Sequence, residues 1–485
     1  MKNIIILLLF IPFLGIAQQN EITKDLSSEY ENYKELKLTK RRVKHAEIQP
    51  LINSLKAEKG FEVRTLGKSI EGREIRMISL GEGKTDVLLW SQMHGNEPTA
   101  TMAIFDMLNY FKSNKEILKK VKLHFIPMLN PDGAEKFKRR NAIDIDINRD
   151  ALRLQSPESR ILKSVRDSLQ ADFGFNLHDQ SIHYNAEQTS KPATISFLAP
   201  AYNYKKDIND VRGNAMKIIV EMNNVIQNYA PGQVGRYSDD FEPRAFGDNI
   251  QKWGTSTILV ESGGYLNDPE KQVIRKLNYI SILAAINSIS NETYKSVDIN
   301  RYEEIPKNDR KLFDLKIENL TFTYLGKEYL VDLGINRSEK DNPKHTDYYS
   351  VGKISDIGDL STFYGYKTID AKNLIFKSDE VYPKIISDAN ELKKINFVDL
   401  LKQGYTSIAV EELDKKIKFT EFPMNITKVN GNYIQKMGIP KPPLNLNKNA
   451  TFLLKKDGKV AYAIINGFVY DLQNNRNDVR NGIVK

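Results

Sequence analysis

Cysteine is absent from all 485 residues. No disulfide can form, no thiolate can serve as a nucleophile, and no sulfur ligand can hold a metal. The same absence excludes the lipid-modified cysteine that anchors bacterial lipoproteins. Histidine is scarce, at six, so a transition-metal site must be built from a few imidazoles and carboxylates. Long apolar runs are missing except at the start, where "MKNIIILLLFIPFLGIAQQN" has one lysine, an apolar stretch and small residues at Gly15 and Ala17. The run from Ile4 to Ile16 is too short for a comfortable membrane span. It reads as a signal peptide over residues 1–17, cleaved near Ala17, with an uncleaved anchor as the alternative. The protein is therefore expected to be exported, periplasmic or extracellular, with no membrane contact after cleavage. Basic blocks are missing too. The net charge of +9 is spread along the chain, which favours a solvated surface over nucleic-acid binding.

What is present is the composition of a globular protein, 40% hydrophobic and 27% charged, at a length that calls for two or three domains. Residues 18–45 are a polar lead-in. From 46 to 290, strand-like apolar runs alternate with amphipathic helix patterns, the α/β signature. "DVLLWSQ" (86–92), "VKLHFIPML" (121–129), "DFGFNLH" (172–178) and "STILVES" (256–262) read as strands. Helices are expected over 99–111 behind Pro98, from Ser156 with Pro157 in the first turn, and over 268–289 capped by Asp268. "NPDG" (130–133) reads as a turn. The texture changes after 290. Residues 315–335 read as two strands around a Gly326 turn. Residues 451–472 read as a three-stranded meander turning at Asp457-Gly458 and Asn466-Gly467. "IPKPPLN" (439–445) reads as a stiff connector, and a helix is expected near 389–403. The expected fold is thus a mixed, mostly parallel twisted sheet flanked by helices, followed by a β-rich region over 291–485.

In open α/β sheets, ligands bind in the crevice beyond the carboxyl ends of the strands. His94 and Glu97 follow the strand 86–92, His178 ends the strand 172–178, and Glu261 lies near the end of 256–262. An imidazole or carboxylate buried there without a partner is costly, and a divalent metal on His94, Glu97 and His178 removes that cost. Two histidines and a glutamate form a catalytic zinc set that leaves a position open for water. Glu261, not a ligand, is then the candidate to take a proton from that water. His183 is an alternative ligand to His178. His124 reads as a packed or edge residue of its strand, and His45 and His345 as surface residues. In "RRNAIDIDINRD" (139–150), Arg139 could stabilise an oxyanion, Arg149 could fork onto a carboxylate, and Asp146 could orient a ligand histidine. A solvated, charge-rich loop is the alternative reading of that stretch.

"LGKSIEGREI" (66–75), "HGNEPTA", "NPDG" with "RRNAIDIDINRD", "NLHDQ" and "TILVESGG" together resemble, in order, the motifs of the zinc carboxypeptidase family, the carboxypeptidase A-like metallopeptidases. The resemblance covers about residues 46–290. It implies one zinc ion per chain, held by His94, Glu97 and His178, and Glu261 as general base and acid. It also implies Arg139, with Arg140 as competitor, polarising the scissile carbonyl. Asn148 and Arg149 would grip a C-terminal carboxylate, and Asp146 would support the first histidine. The implied substrate is a peptide with a free C-terminus, and nothing in the sequence indicates an oligomeric state. Departures from the family pattern are Asp144, where glycine is common, and Asp150, whose charge could weaken Arg149. Tyr237 is a poorly registered counterpart of the family's mobile tyrosine. By offset, the residue governing side-chain preference falls near Phe246, which hints at an apolar preference.

Two other classes compete with a metallocarboxypeptidase. One is a related zinc amide hydrolase, resembling aspartoacylase or succinylglutamate desuccinylase, or an endopeptidase of cell-wall peptides. The other is a binding module on an inactive peptidase fold.

Overall fold

The computed structural model describes residues 23–413, 422–429, 443–474 and 481–484. The expected signal peptide and residues 439–442 of the expected connector lie outside them. The chain divides into two compact units, Met1–Arg310 and Lys311–Lys485. The boundary expected at 290 thus falls twenty residues later. The added segment is held by its aromatics: Tyr302 is fully buried, its hydroxyl accepts from the Ala199 N–H at 3.0 Å, and Tyr294 packs edge-on against Phe173.

The first unit is built on an eight-stranded sheet in the order β1-β2-β4-β3-β5-β9-β7-β8. Its strands are β1 (Phe61–Lys68), β2 (Glu74–Leu80), β3 (Thr85–Ser91), β4 (Val121–Ile126), β5 (Phe173–Asp179), β7 (Ile195–Leu198), β8 (Val234–Arg236) and β9 (Ser256–Ser262). A separate short strand, β6 (Asn185–Ala186), pairs with β10 (Asn308–Asp309). The central strands β4, β3, β5 and β9 run parallel, and antiparallel pairs lie on either side of them. In β3, Val87 and Leu89 join one core and Leu88 and Trp90 the other. That two-sided burial is why the strand reads as a continuous apolar run. The first core is covered by helices His45–Leu55, Thr99–Ser113, Asp210–Gln227 and Gln272–Asn291. The second is covered by Pro157–Leu169 and Phe246–Lys252.

The capping signals act as expected at two helices. Ser156 accepts from the Ser159 N–H, and Pro157 occupies the first turn behind it. The Asp268 carboxylate accepts from the N–H groups of Gln272, Val273 and Ile274. The "NPDG" turn is instead the start of a short helix, Pro131–Glu135, because the Asn130 side chain caps the Gly133 N–H at 2.9 Å. The polar lead-in packs onto the unit: Tyr30, Glu35 and Leu38 close over the fully buried Asp106–Arg275 ion pair.

The second unit has a sheet ordered β13-β12-β11-β15-β18-β19-β20, where β13 is Tyr348–Gly358 and β15 is Ile375–Ser378, with β14 (Tyr364–Asp370) also on β11. Strands β11 (Leu312–Tyr324) and β12 (Lys327–Asp341) turn at Leu325-Gly326. Strands β18 (Phe452–Lys456), β19 (Lys459–Ile465) and β20 (Phe468–Asp471) turn at Asp457-Gly458 and Asn466-Gly467. All six turn residues have positive φ, as two-residue primed hairpin turns require. Helices Ala389–Leu392 and Phe397–Gln403 occupy the expected helical stretch. Among the described residues no helix is long and apolar enough to cross a membrane.

Candidate metal centre

The three parallel strands β3, β5 and β9 end side by side, and each delivers one part of the site. Beyond β3, Gln92 turns the chain at φ 44°, and the loop brings His94 and Glu97 back over the sheet edge. Gly95 makes this possible: a Cβ there would lie 2.0 Å from the Gly133 backbone carbon. The compactness expected of that loop therefore comes from a close approach between two backbones. In the β5–β9 register His178 stands directly opposite Glu261. His94, Glu97 and His178 are buried, and Glu261 is half-buried.

His94, Glu97 and His178 are a candidate metal cluster, each offering one ligand atom. His94 Nδ1 lies 2.9 Å from Glu97 Oε2, His178 Nδ1 lies 2.7 Å from the same oxygen, and the two Nδ1 atoms are 3.2 Å apart. Tetrahedral zinc with ligand bonds of about 2.0–2.1 Å separates its ligands by roughly 3.3 Å, so the three atoms already lie a few tenths of an ångström closer than such an ion would hold them. The second nitrogen of His94 meets Asp146 Oδ1 at 3.2 Å, which directs the proton to Nε2 and leaves Nδ1 as the donor. The residues present fit a zinc ion. His183 is not part of the cluster.

Electrostatics agree with the geometry. Burial alone would lower the His94 pKa, but Glu97 and Asp146 outweigh it and raise it. Burial lowers that of His178. Glu97 and Asp146 are held below the ordinary carboxylate range, the imidazoles overcoming the cost of burial. Glu261 is pushed well up, first by burial and then by the carboxylates of Glu97 and Asp179. Its Oε2 has no hydrogen-bond partner among the described residues. A carboxyl with a raised pKa and an unpartnered oxygen beside a metal cluster is the pattern of a proton-transfer group.

The stretch 139–150 surrounds this cluster rather than forming a solvated loop. Arg139 Nε donates to Asp146 Oδ2 at 3.0 Å, and its guanidinium reaches within 3.4 Å of Glu97 Oε1. Arg140 turns away and donates to the Asp144 carbonyl. Asp144 has φ 60°, a left-handed conformation that aspartate tolerates better than most residues, which fits a position where glycine is common. Asn148 is buried and accepts from the Phe246 N–H through Oδ1. Arg149 is partly exposed, and its NH1 donates to the Asn148 carbonyl at 2.7 Å. The charge expected from Asp150 does not act on Arg149 through a contact: Asp150 is buried and accepts the Gln155 and Ser156 N–H groups. The acid facing Arg149 is Glu242, 3.5 Å from its Nε.

Phe246 is fully buried in the core with Trp90 and Leu88, so it presents no surface to a substrate. Tyr237 packs edge-on against Tyr184, and burial followed by the Glu261 carboxylate pushes its phenol up. Lys271, unremarkable in sequence, is buried and donates to Asp179 and to the Ser262 carbonyl. Its only sequence signal is its place just after the Asp268 cap. His124 is indeed packed within its strand, bonded to Ser79 and Asp86. His45 is half-buried rather than a surface residue, with its ring against the Glu74 carbonyl.

The comparisons with known proteins fall mainly on the first unit. Residues 50–223 match a family model described as zinc carboxypeptidase. Carboxypeptidase SOL1 of Arabidopsis thaliana is 25% identical over 172 residues, covering 30% of this chain and 35% of that protein. Carboxypeptidase 2 of Trichophyton tonsurans is 27% identical over 126 residues, 23% of each chain. The matched segments thus span a minority of those relatives' length. A metallo-carboxypeptidase from Burkholderia cenocepacia superposes with a TM-score of 0.42 at 16% identity, covering 51% of this chain and 69% of that one. The likeness to the zinc carboxypeptidase family thus rests on residues 50–223, within the α/β unit.

Proposed function

We propose that this protein is an exported zinc metallocarboxypeptidase that releases C-terminal residues from peptides. The observation that carries the reading is the convergence of His94, Glu97 and His178 with Glu261 opposite His178 in the strand register. Zinc held by those three residues, one ion per chain, supplies a Lewis acid that lowers the pKa of water towards ~7.

The chain's own groups account for the rest. The Glu261 carboxylate takes the proton of the attacking water, and the resulting acid returns it to the leaving amine. Its buried, raised pKa suits both directions of transfer. Arg139, fixed by Asp146, lies where it can stabilise negative charge on the carbonyl oxygen. Asn148 has its oxygen committed to Phe246, so its NH₂ is the donor it can offer a substrate carboxylate beside the Arg149 guanidinium. Export rests on the N-terminal apolar run of the sequence.

The test is Glu261→Gln. Turnover of a peptide should fall by about 10²- to 10⁴-fold, given the usual weight of a general base, while metal analysis still finds zinc. Full activity in that variant would remove Glu261 from the mechanism. Cleavage of a free-carboxylate peptide but not its C-terminally amidated twin separates exopeptidase from endopeptidase action.

A further inference from the structure

The Arg149 guanidinium has one amino group tied to the Asn148 carbonyl, and its Nε edge faces Glu242 Oε2 at 3.5 Å. A guanidinium grips a carboxylate in a fork through such an edge. The Glu242 carboxylate is itself gripped by Arg244, from Nε to Oε1 at 2.9 Å, NH2 to Oε2 at 2.7 Å, and the backbone N–H to Oε1 at 3.1 Å.

Neither side of this arrangement is loose. The Glu242 N–H donates to Asp248 Oδ1, and its carbonyl accepts from the Ala245 N–H. The Ala151 N–H donates to the Arg244 carbonyl, and the Phe246 N–H to Asn148 Oδ1. The segment 242–246 is thus stitched to the segment 148–151, and the two arginines share one carboxylate by construction.

We propose that Glu242 is a built-in carboxylate that occupies Arg149 and is displaced when a substrate carboxylate arrives. This rests on the peptidase reading above. Displacement leaves Glu242 paired with Arg244, so no charge is stranded, and Arg149 changes one carboxylate for another. The device discriminates: a ligand without a carboxylate has nothing to exchange for the Glu242 contact. The three side chains are 31–58% exposed, so the competition is partly screened and is worth a several-fold change in affinity.

The experiment measures equilibrium binding of a short peptide and of its C-terminally amidated twin to the zinc-loaded Glu261→Gln protein. Glu242→Gln in that background should tighten the free-carboxylate peptide about two- to fivefold and leave the amidated twin unchanged. The gain should shrink at high salt. Arg244→Gln should weaken the free-carboxylate peptide, because Glu242 then has only Arg149. Unchanged or weaker binding in Glu242→Gln overturns the proposal and makes Glu242 a prop for Arg149. Equal binding of the two peptides by the Glu261→Gln parent overturns the carboxypeptidase reading as well, so the two failures are distinct.

Discussion

At the residue scale, Asp248 shows how a group near the site is bound to protein stability. Burial pushes its carboxyl up to about 6, although the Glu242 N–H hydrogen bond opposes the shift. A raised acid pKa means the folded chain holds a proton that the unfolded chain releases. Its contribution is therefore present below about pH 4, is lost as pH rises towards 6, and is flat above that. The loss is about 2–3 kcal/mol. Asp248→Asn keeps an acceptor for the Glu242 N–H, so it should gain stability relative to the parent between pH 4 and 7. Urea midpoints for the two proteins at both pH values check this, and parallel pH trends would refute it. Gly95 is a second single-residue test. A methyl group there collides with the Gly133 backbone, so Gly95→Ala should weaken zinc retention in a metal titration before any other property changes. His94 and Glu97 are readable as candidate ligands from their place after a strand; the close approach of Gly133 behind them is not. That contact joins residues 38 apart in sequence, and no local pattern reports it.

At the element scale, the lead-in segment and the helices it meets depend on one buried ion pair. Arg275 Nε donates to Asp106 Oδ2 at 2.7 Å, and both side chains are fully buried. Tyr30 and the Glu35 N–H also donate to Asp106, while the Glu35 and Leu38 carbonyls accept from Arg275. Arg275→Met strands a buried carboxylate and should cost about 3–5 kcal/mol in urea unfolding. Replacing Asp106 by Leu in the same protein should recover much of it. Sequence periodicity made both helices legible, and Ser156 set its helix start correctly, whereas the helix expected from 268 begins at Gln272. Asp106 and Arg275 were not legible as partners, because each is a charged residue in an apolar helix and only the packing of the two helices joins them.

At the scale of the whole molecule, the two units have separate cores, and the candidate zinc site belongs to the first. Calorimetry should show a transition that moves down when chelator removes the metal and another that does not. A shift of about 4 kcal/mol in apparent stability accompanies free zinc a thousandfold above its dissociation constant. Truncation offers a companion test. A fragment ending at Arg310 should unfold cooperatively, whereas one ending at 290 loses Tyr294 and Tyr302 from the core and should not.

The sequence alone determined which elements form and which residue types meet the chemistry. Burial on both faces writes β3 and β5 as apolar runs, primed turns write the hairpins of the second unit as Asp-Gly and Asn-Gly, and strand ends present His94, His178 and Glu261. Only the tertiary structure decided which charges face which. Asp150 turned inward to accept the Gln155 and Ser156 N–H groups, Phe246 went into the core, and Glu242, from a loop nearly a hundred residues away, took the place beside Arg149. The physical reason is that secondary structure follows local periodicity and backbone hydrogen bonding. The partner of a long charged side chain is set by which distant segments the folded backbone brings within reach.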